Sequence, residues 1–304
     1  MTDTDQNPTH RCGYVALIGR PNVGKSTLLN ALLGQKLSIT AHKPQTTRHQ
    51  ILGVSHHEDG QLVFVDTPGL HAAPAGASAM NRYLNRVAEA VSQGVDVVAW
   101  LLDARGVTDA DLKIGEGLRQ RQGKLFCVLN KTDLVTDKAK LLPLSAELAE
   151  RFDPDELLMI SAQKGKGLEE LRARLLAAVP EGPPVFGEDE LTDRSERFIA
   201  TEFIREQVTR RLHQELPYAS TVEVEAFQRE GPVLHIAAVI WVEREGQKGI
   251  VIGQRGATLK GIGTAARATL EAFFACRVNL KLWVKVKKGW SDDERSLQQL
   301  GYVD

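Results

Sequence analysis

The sequence predicts an α/β domain with a mostly parallel sheet and helices on both faces, followed by a smaller α+β domain. In the first half, short apolar runs such as residues 14–18 and 95–102 alternate with helical patterns, as in parallel sheets. Residues 180–196 interrupt this alternation with three prolines and several acids, and longer strand patterns follow. The length of 304 residues is sufficient for two such domains.

The pattern also predicts the boundaries. We expect a disordered leader over 1–12, a first domain over 13–179, a linker over 180–196, a second domain over 197–290, and a C-terminal helix and tail over 291–304. In the first domain we expect strands at 14–18, 50–54, 61–65, 95–102, 124–129 and 157–160, and helices near 79–91, 109–122, 138–151 and 168–179. In the second we expect helices at 197–216, 257–274 and 292–300, and strands at 219–227, 233–242 and 277–286.

The composition excludes some protein classes. Hydrophobic residues make up 42% and charged residues 25%, as in globular proteins, and the net charge of −1 indicates no partner by itself. The three cysteines have no metal-ligand spacing, so we expect a reducing compartment and no disulfide framework. Because no apolar run reaches 18 residues, we expect no membrane-spanning segment.

A phosphate-binding loop is predicted directly after the first strand. Residues 19–26, GRPNVGKS, fit the pattern G-x-x-x-x-G-K-[ST] between a strand and a helix. The glycines allow the backbone to approach phosphate oxygens, a lysine supplies a point charge, and the hydroxyl is a ligand for Mg²⁺. The alternative is an ordinary strand-to-helix turn. The candidate phosphate-binding residues are Gly19, Arg20, Pro21, Asn22, Val23, Gly24, Lys25, Ser26 and Thr27.

Two further loops predict that the phosphate-binding loop holds a guanine nucleotide. The tetrapeptide NKTD begins at Asn130, after the strand pattern KLFCVL, where ligands bind in open α/β sheets. Asp133 would accept hydrogen bonds from N1 and N2 of guanine, Asn130 would tie this loop to the phosphate loop, and the stem of Lys131 would cover the base. A later loop, Ser161, Ala162 and Gln163, would line the other side of the base; its alternative is an ordinary polar loop.

A magnesium site is predicted from the segment DTPG, composed of Asp66, Thr67, Pro68 and Gly69. Asp66 would hold Mg²⁺ through water, with the Ser26 hydroxyl as a direct ligand, and the amide of Gly69 would meet the γ-phosphate. In the preceding segment PQTTR, we favour Thr47 as the ligand that completes the Mg²⁺ shell when the γ-phosphate is present. Thr46 is the alternative for this role, and a solvated loop is the alternative for the segment.

The water-positioning group is not identifiable from the sequence. Many GTPases carry a glutamine after D-x-x-G, but here the residue is Leu70. Asn22 could help to coordinate a monovalent cation, K⁺, beside the phosphates. Alternatively, its side chain bonds the local backbone. Asn22 and Thr47 are therefore candidate contributors to hydrolysis, and the catalytic residues are left unassigned.

The second domain contains a candidate RNA-binding loop. Residues 253–256, GQRG, form a G-x-x-G turn before a predicted helix, as in the backbone clamp of KH domains. Residues 244–288 contain ten Lys or Arg and two Glu, a net charge of +8, which favours nucleic acid over the alternative of a solvated basic face. We assign Trp241 and Trp283 to the core. The candidate RNA-binding residues are Gly253, Gln254, Arg255, Gly256, Lys260, Lys285 and Lys287.

Several motifs together resemble the Era family of bacterial ribosome-assembly GTPases. They are GRPNVGKSTLLN, QTTRHQILG, VDTPGL, NKTD, ELPY, VEREGQK, VIGQRG, LWVKVKKGW and DDER, and they span nearly all of residues 13–304. The resemblance implies an α/β P-loop GTPase domain followed by a smaller α+β KH-like domain. It implies GTP and Mg²⁺ as ligands, slow hydrolysis, and binding of small-subunit (16S) rRNA, not DNA, near the 3′ end during 30S maturation. GTP would control the domain arrangement.

The resemblance further implies a cytoplasmic monomer, with peripheral contact at the inner membrane known for the family only. Two other functions remain open from the residues. The chain could be an RNA-binding module whose nucleotide is structural, an alternative that Leu70 keeps open, or a tRNA-modification GTPase, which shares Asn22 and the TTR segment. The KH-like half argues against the latter.

Overall fold

The computed structural model describes residues 10–41, 48–67, 94–212, 216–217 and 219–290. The described residues form two compact units. Unit 1 contains residues 10–38, 49–67 and 94–193; unit 2 contains residues 39–41, 48, 194–212, 216–217 and 219–290. No helix in the described part of the chain is long and apolar enough to cross a membrane.

Unit 1 is built on a six-stranded sheet with the order β2-β3-β1-β4-β5-β6. Among the described strands only β2 runs antiparallel, in a hairpin with β3, so the prediction of a mostly parallel sheet is confirmed. The central strand β4, with the sequence VVAWLLD, is buried along its whole length, as expected for a strand covered on both faces. The strands are β1 (Arg11–Ile18), β2 (Ile51–His57), β3 (Gly60–Asp66), β4 (Val97–Asp103), β5 (Lys124–Asn130) and β6 (Glu156–Met159).

Helices cover both faces of this sheet. The described helices are α1 (Lys25–Leu33), α2 (Asp109–Gly117), α3 (Leu141–Phe152) and α4 (Leu168–Ala178). Leucines of α1 and α4 form one apolar core with one face of the sheet, and α3 contributes to a second core around Trp100 on the other face. Short 3₁₀ turns lie at Leu118–Gln120, Thr132–Leu134 and Lys138–Lys140.

The ends of unit 1 differ from the sequence prediction. Arg11 and Cys12, expected in the leader, belong to β1, because the Arg11 amide donates to Asp59 and its guanidinium donates to Val179 O at 2.8 Å. Part of the expected linker is also fastened to this unit. The buried side chain of Gln61 accepts bonds from the amides of Val185 and Phe186. These contacts join residues far apart in sequence, so no local pattern reports them.

Unit 2 has the chain order α5, β7, β8, α6, α7, β9. Its elements are α5 (Glu196–Arg211), β7 (Ser220–Glu230), β8 (Val233–Val242), α6 (Glu245–Ile252), α7 (Ala257–Phe274) and β9 (Arg277–Val286), with a 3₁₀ turn at Gln254–Gly256. The sheet has the order β7-β8-β9, with β7 antiparallel and β9 parallel to β8. Helices α5 and α7 pack together, and the edge-to-face contact of Phe203 and Phe273 lies between them.

In unit 2 the sequence prediction missed one helix and misplaced one tryptophan. The helix α6 was not predicted, because glycines at 246 and 249 obscure an eight-residue helix whose start is capped by Gln247. Trp283 was assigned to the core but is 44% exposed. The expected helices at 79–91 and 292–300, and most of the leader, lie outside the described residues.

Candidate functional site

The carboxyl ends of the parallel strands in unit 1 bring the predicted nucleotide loops together. Register pairs Leu17 with Asp66 across β1 and β3, and Asp103 with Asn130 across β4 and β5. The phosphate loop, Asp66, and the NKTD loop therefore begin at one edge of one sheet. Ligands of open α/β sheets bind at this edge, where the strand order reverses around the first strand.

The phosphate loop has the backbone that its glycines predict. Gly19 and Gly24 have φ angles of 156° and 107°. A Cβ atom on Gly19 would lie 2.5 Å from the carbonyl oxygen of Leu101, and one on Gly24 would clash with Nδ2 of Asn130. Asn22 adopts a left-handed φ of 64°, which asparagine tolerates better than most residues. The loop thus needs glycine for space as well as for its backbone angles.

The Lys25 ammonium lies inside this loop. It is 6% exposed, and its Nζ donates to Gly19 O at 2.9 Å and to Arg20 O at 3.2 Å. Burial lowers the pKa of Lys25 to about 8, and the charge of Asp66 opposes that shift. A buried cation whose direct hydrogen bonds are to neutral carbonyls would gain from a bound anion. The arrangement therefore fits a phosphate-binding lysine.

Two of the three predicted metal ligands, Ser26 and Asp66, meet at the buried carboxylate of Asp66. Its Oδ2 accepts from Ser26 Oγ at 2.9 Å and from Ser38 Oγ at 2.7 Å. Carboxylate and hydroxyl oxygens at this spacing fit the oxygen ligands that Mg²⁺ takes, with nucleotide phosphates completing the shell. Sequence reasoning missed Ser38, whose backbone is held by Asn30 at the end of α1.

The side chain of Asn130 joins three loops. Its Nδ2 donates to Val23 O in the phosphate loop at 2.9 Å, and its Oδ1 accepts from the Ala162 amide at 3.0 Å. The tie between Asn130 and the phosphate loop that the sequence predicted is therefore present. Both amide groups are used, and the residue is 2% exposed.

Lys131 is held by an acid that sequence reasoning missed. Its Nζ donates to Asp103 Oδ2 at 2.9 Å and to Asn22 O at 2.5 Å. Burial alone would raise the pKa of Asp103, but hydrogen bonds from Arg105 and Lys131 hold it well below the usual range. The only sequence signal was an acid at the end of a fully apolar strand.

The carboxylate of Asp133 is oriented by Ser161. Ser161 Oγ donates to Asp133 Oδ1 at 2.5 Å, and the NKTD loop is fastened to the same stretch by two bonds from Thr132 to Ile160 O. Asp133 is exposed at the sheet edge, with Ala162 buried and Gln163 exposed beyond it. A carboxylate in this position can accept two parallel N–H bonds from a planar base.

The side chains of Arg20 and Thr67, predicted to lie at the phosphate and metal sites, form hydrogen bonds within the protein. Arg20 Nε donates to both oxygens of buried Asp111 at 2.9 and 2.8 Å, so this side chain is held against α2. Thr67 Oγ1 donates to Leu17 O. Thr47, Pro68, Gly69 and Leu70 lie outside the described residues.

In unit 2, the loop Gly253–Gly256 has the form expected of a backbone clamp. Gly253, Arg255 and Gly256 have φ angles of 73°, 51° and 77°. A Cβ atom on Gly253 would clash with Thr258 Oγ1, whereas one on Gly256 would meet nothing within 4 Å. Gln254 and Arg255 are exposed at the tip, at the N-terminus of α7, and Lys260 is exposed one turn further on.

Two family models match the two halves of the chain. Residues 14–131 match the model described as 50S ribosome-binding GTPase, and residues 215–291 match the KH domain model. GTPase Era of Pseudomonas putida is 52% identical over 304 residues, covering 100% of both chains. GTPase Era of Pseudomonas aeruginosa is 51% identical over 306 residues, with the same coverage.

Solved structures are similar over both units. Era in complex with MgGDPNP and nucleotides 1506–1542 of 16S ribosomal RNA has a TM-score of 0.93 and 35% identity, over 97% of this chain and 100% of that one. A tyrosine-to-alanine variant of Aquifex aeolicus Era bound to GDP·AlF₄⁻ has a TM-score of 0.92 and 36% identity, with the same coverage.

The lowered pKa of Lys25 predicts a pH-dependent affinity. Below pH 8 the free lysine is charged and ready for phosphate; above pH 8 it must take up a proton on binding. The Kd for GTP should therefore rise from pH 8 to pH 9, by up to about tenfold. Lys25→Arg is the control, because a guanidinium stays charged over this pH range. Any effect of titrating the guanine base is the same for both proteins and can be subtracted. Equal Kd values for the parent at pH 7 and pH 9 would contradict the assignment.

Guanine selectivity is predicted to depend on Asp133. Asp133→Asn replaces an acceptor by a donor opposite N1 and N2, so GTP should bind at least about a hundredfold more weakly. Xanthosine triphosphate, with an oxygen at C2, should bind the variant better than GTP. Ser161→Ala, which removes the orienting bond to Asp133 and the bond that the Ser161 hydroxyl accepts from the Lys164 amide, should have a smaller effect. Titration with fluorescent nucleotides measures all three, and unchanged GTP affinity in Asp133→Asn would remove Asp133 from the site.

Proposed function

This chain belongs to the Era family of GTPases, and on that premise we propose that its GTPase cycle controls binding to the 3′ region of 16S rRNA during 30S subunit maturation. As a family member it hydrolyses GTP to GDP and phosphate. A structural nucleotide that is never turned over and a tRNA-modification enzyme are therefore both set aside. The observation that carries the proposal is one chain with both a built guanine-nucleotide site and an exposed G-x-x-G tip.

For the nucleotide, the proposal assigns the phosphates to the backbone of residues 19–27 and to Lys25. Guanine is assigned to Asp133, with Lys131 and residues 161–163 against the base. Mg²⁺ would take the Ser26 hydroxyl directly, Asp66 through water and Thr47 in the GTP state. The convergence of Ser26 and Ser38 on Asp66 supports this set. Bound Mg²⁺ supplies positive charge for the β- and γ-phosphates.

For RNA, the proposal assigns the backbone of residues 253–256 to phosphates, with Gln254 and Arg255 at the tip. Lys260, Lys285 and Lys287 contribute long-range attraction. The exposed left-handed backbone at Arg255 and the open space at Gly256 support a close approach by a nucleic-acid chain. A related Era binds nucleotides 1506–1542 of 16S rRNA, and this segment is the proposed partner here.

A route for control by GTP begins where the chain leaves Asp66. Ser38 bonds Asp66 in unit 1, whereas Thr40, two residues later, is held within unit 2. The amide and hydroxyl of Thr40 donate to the buried carboxylate of Glu206 at 3.0 and 3.3 Å, and Arg210 donates to Thr40 O. Movement of Ser38 when Mg²⁺ and γ-phosphate arrive would reach unit 2 through three residues of chain.

The other end of the same stretch is also held in unit 2. The buried guanidinium of Arg48 donates to Pro217 O at 2.7 Å and to Ser220 O at 2.9 Å, and it lies 5.9 Å from the ring centre of Trp290. The described residues on either side of 42–47 are thus both held within unit 2. The proposal includes a cytoplasmic monomer acting on the 30S precursor; family resemblance alone supports contact with the inner membrane.

The RNA-binding assignment predicts the effect of a charge reversal at the loop. Replacing Gln254 and Arg255 by Asp-Asp puts two negative charges where phosphates would lie. Affinity for an RNA of nucleotides 1506–1542 should fall at least about tenfold, because one charged contact contributes roughly 1–3 kcal/mol. GTP binding and the circular dichroism spectrum should be unchanged. Filter binding measures the affinity.

The matched control is Arg119-Gln120→Asp-Asp in an exposed 3₁₀ turn of unit 1. It exchanges the same two residue types with the same change in charge. This control should keep nearly the parent affinity. Equal RNA affinity for the folded loop variant and the parent would show that residues 253–256 are not the clamp.

The proposed K⁺ site predicts a salt-specific rate. If Asn22 helps to hold a monovalent ion, GTP hydrolysis should be faster in K⁺ than in Na⁺ at equal ionic strength. Asn22→Gly is the informative variant, because glycine accepts the φ of 64° while removing the amide. It should abolish the difference between the salts. Equal parent rates in both salts would leave Asn22 as the residue that shapes the turn.

A further inference from the structure

The two faces of the sheet in unit 2 differ in what covers them. Along β9, the even-numbered residues face the helices; Leu282, for example, lies 3.5 Å from the Cβ position of Gly263 in α7. The odd-numbered residues of β9 are all exposed on the other side. We call this side the open sheet face and define it by Arg277, Asn279, Lys281, Trp283 and Lys285, with Trp241 beside them on β8.

The open sheet face carries a row of cations. Same-face residues on a strand are about 6.6 Å apart, so Arg277, Lys281 and Lys285 follow a line about 26 Å long. Within the described part of the chain, Arg277 and Lys281 have no acidic partner. Lys285 pairs with Glu225 at 2.8 Å and lies 5.6 Å from the ring centre of Trp241. Positive charge is therefore least neutralised towards the start of β9.

An exposed indole lies within this row. Trp283 is 44% exposed between Lys281 and Lys285, whereas Trp100 and Trp290 are fully buried. The Trp241 indole already donates to Glu223. A flat aromatic side chain flanked by cations is the combination on which single-stranded nucleic acids stack their bases and place their phosphates. The sheets of RRM domains use aromatic side chains in the same way.

We propose that the open sheet face is a second RNA-binding surface, on which an unpaired base stacks on Trp283 and phosphates meet Arg277 and Lys281. The inference rests on the proposed function and extends it. A KH clamp holds about four nucleotides. Helices α6 and α7, which the loop 253–256 joins, both pack against β9. RNA that leaves the clamp would therefore pass the edge strand β9. The open sheet face begins on the other side of that strand.

Charge and polarity favour RNA over a lipid surface. An interfacial membrane segment needs a broad apolar face. Here the exposed positions of β9 carry three cations, one amide and a single indole, and the neighbouring His235 bonds Asn279. Cations at regular intervals with one stacking platform complement a phosphate chain better than they complement hydrocarbon.

The experiment compares two RNAs on the full chain. One is nucleotides 1506–1542 of 16S rRNA and the other is a four-nucleotide RNA from the same stretch that fills only the clamp. Trp283→Leu and Lys281→Ala should each weaken the long RNA, the first about tenfold, and leave the short RNA unchanged. Arg267→Ala is the matched control, because Arg267 is an exposed cation on α7, on the opposite side of the sheet. It should have little effect on either RNA.

Fluorescence gives a second readout, which reports on the exposed indoles directly. Because Trp100 and Trp290 are buried, stacking by a base can quench only Trp241 or Trp283. The long RNA should quench the parent strongly and Trp283→Leu weakly, whereas Trp283→Phe should restore most of the affinity. Circular dichroism of each variant establishes that it is folded.

Each outcome separates this surface from the clamp. Parent-like binding of the long RNA by Trp283→Leu and Lys281→Ala overturns the surface; loss of both RNAs in the Asp-Asp loop variant would then still support the proposed function. If Trp283→Leu and Lys281→Ala bind the long RNA more weakly than the parent does, and the Asp-Asp loop variant binds it as the parent does, the surface is supported and the clamp is refuted. A third outcome is that the Trp283→Leu and Lys281→Ala variants no longer co-sediment with phosphatidylserine vesicles but keep the parent affinity for the long RNA. That outcome would make this face a membrane contact and overturn the proposal.

Discussion

The nucleotide site depends on one side-chain amide, that of Asn130. It donates to the phosphate loop at Val23 and accepts from the loop at Ala162, so a single residue at the end of β5 fixes the separation of phosphate and base loops. Its position also explains Gly24: any side chain there would displace the Asn130 amide. Because the amide is buried and both of its groups are used, loss of either bond would leave a polar group unsatisfied, which costs roughly 1–3 kcal/mol.

Near this amide lie two buried charged side chains, Lys25 and Asp66, which can bind phosphate and Mg²⁺ respectively. Lys25 lies against carbonyl oxygens, and Asp66 gathers the hydroxyls of Ser26 and Ser38. Both charges are removed from water, so each would be costly without its neighbours. Nucleotide phosphates and Mg²⁺ would exchange these neutral contacts for charged ones. The site is therefore organised to favour a ligand that carries both signs of charge.

The sequence predicted the elements of this site because its signals are local. A G-x-x-x-x-G-K-S segment and an NKTD segment each follow a buried strand, and parallel strands bring their carboxyl ends to one edge. The fold class followed from the same alternation. Partners distant in sequence were not predictable: Arg20 binds Asp111 and Lys131 binds Asp103. Those contacts depend on strand order and register, which a single sequence does not encode in any short pattern.

The core assignment of Trp283 in unit 2 overlooked strand periodicity. The strand β9 alternates polar and apolar residues, and in such a strand the apolar face is the one that packs against the rest of the protein. Trp283 lies on the same side of the strand as Arg277, Lys281 and Lys285. These cations were the signal in the sequence against a core position. Hydrophobicity alone placed the indole inside. Its neighbours at i±2 are cations, and an uncovered indole in a row of cations is better explained by a partner than by packing.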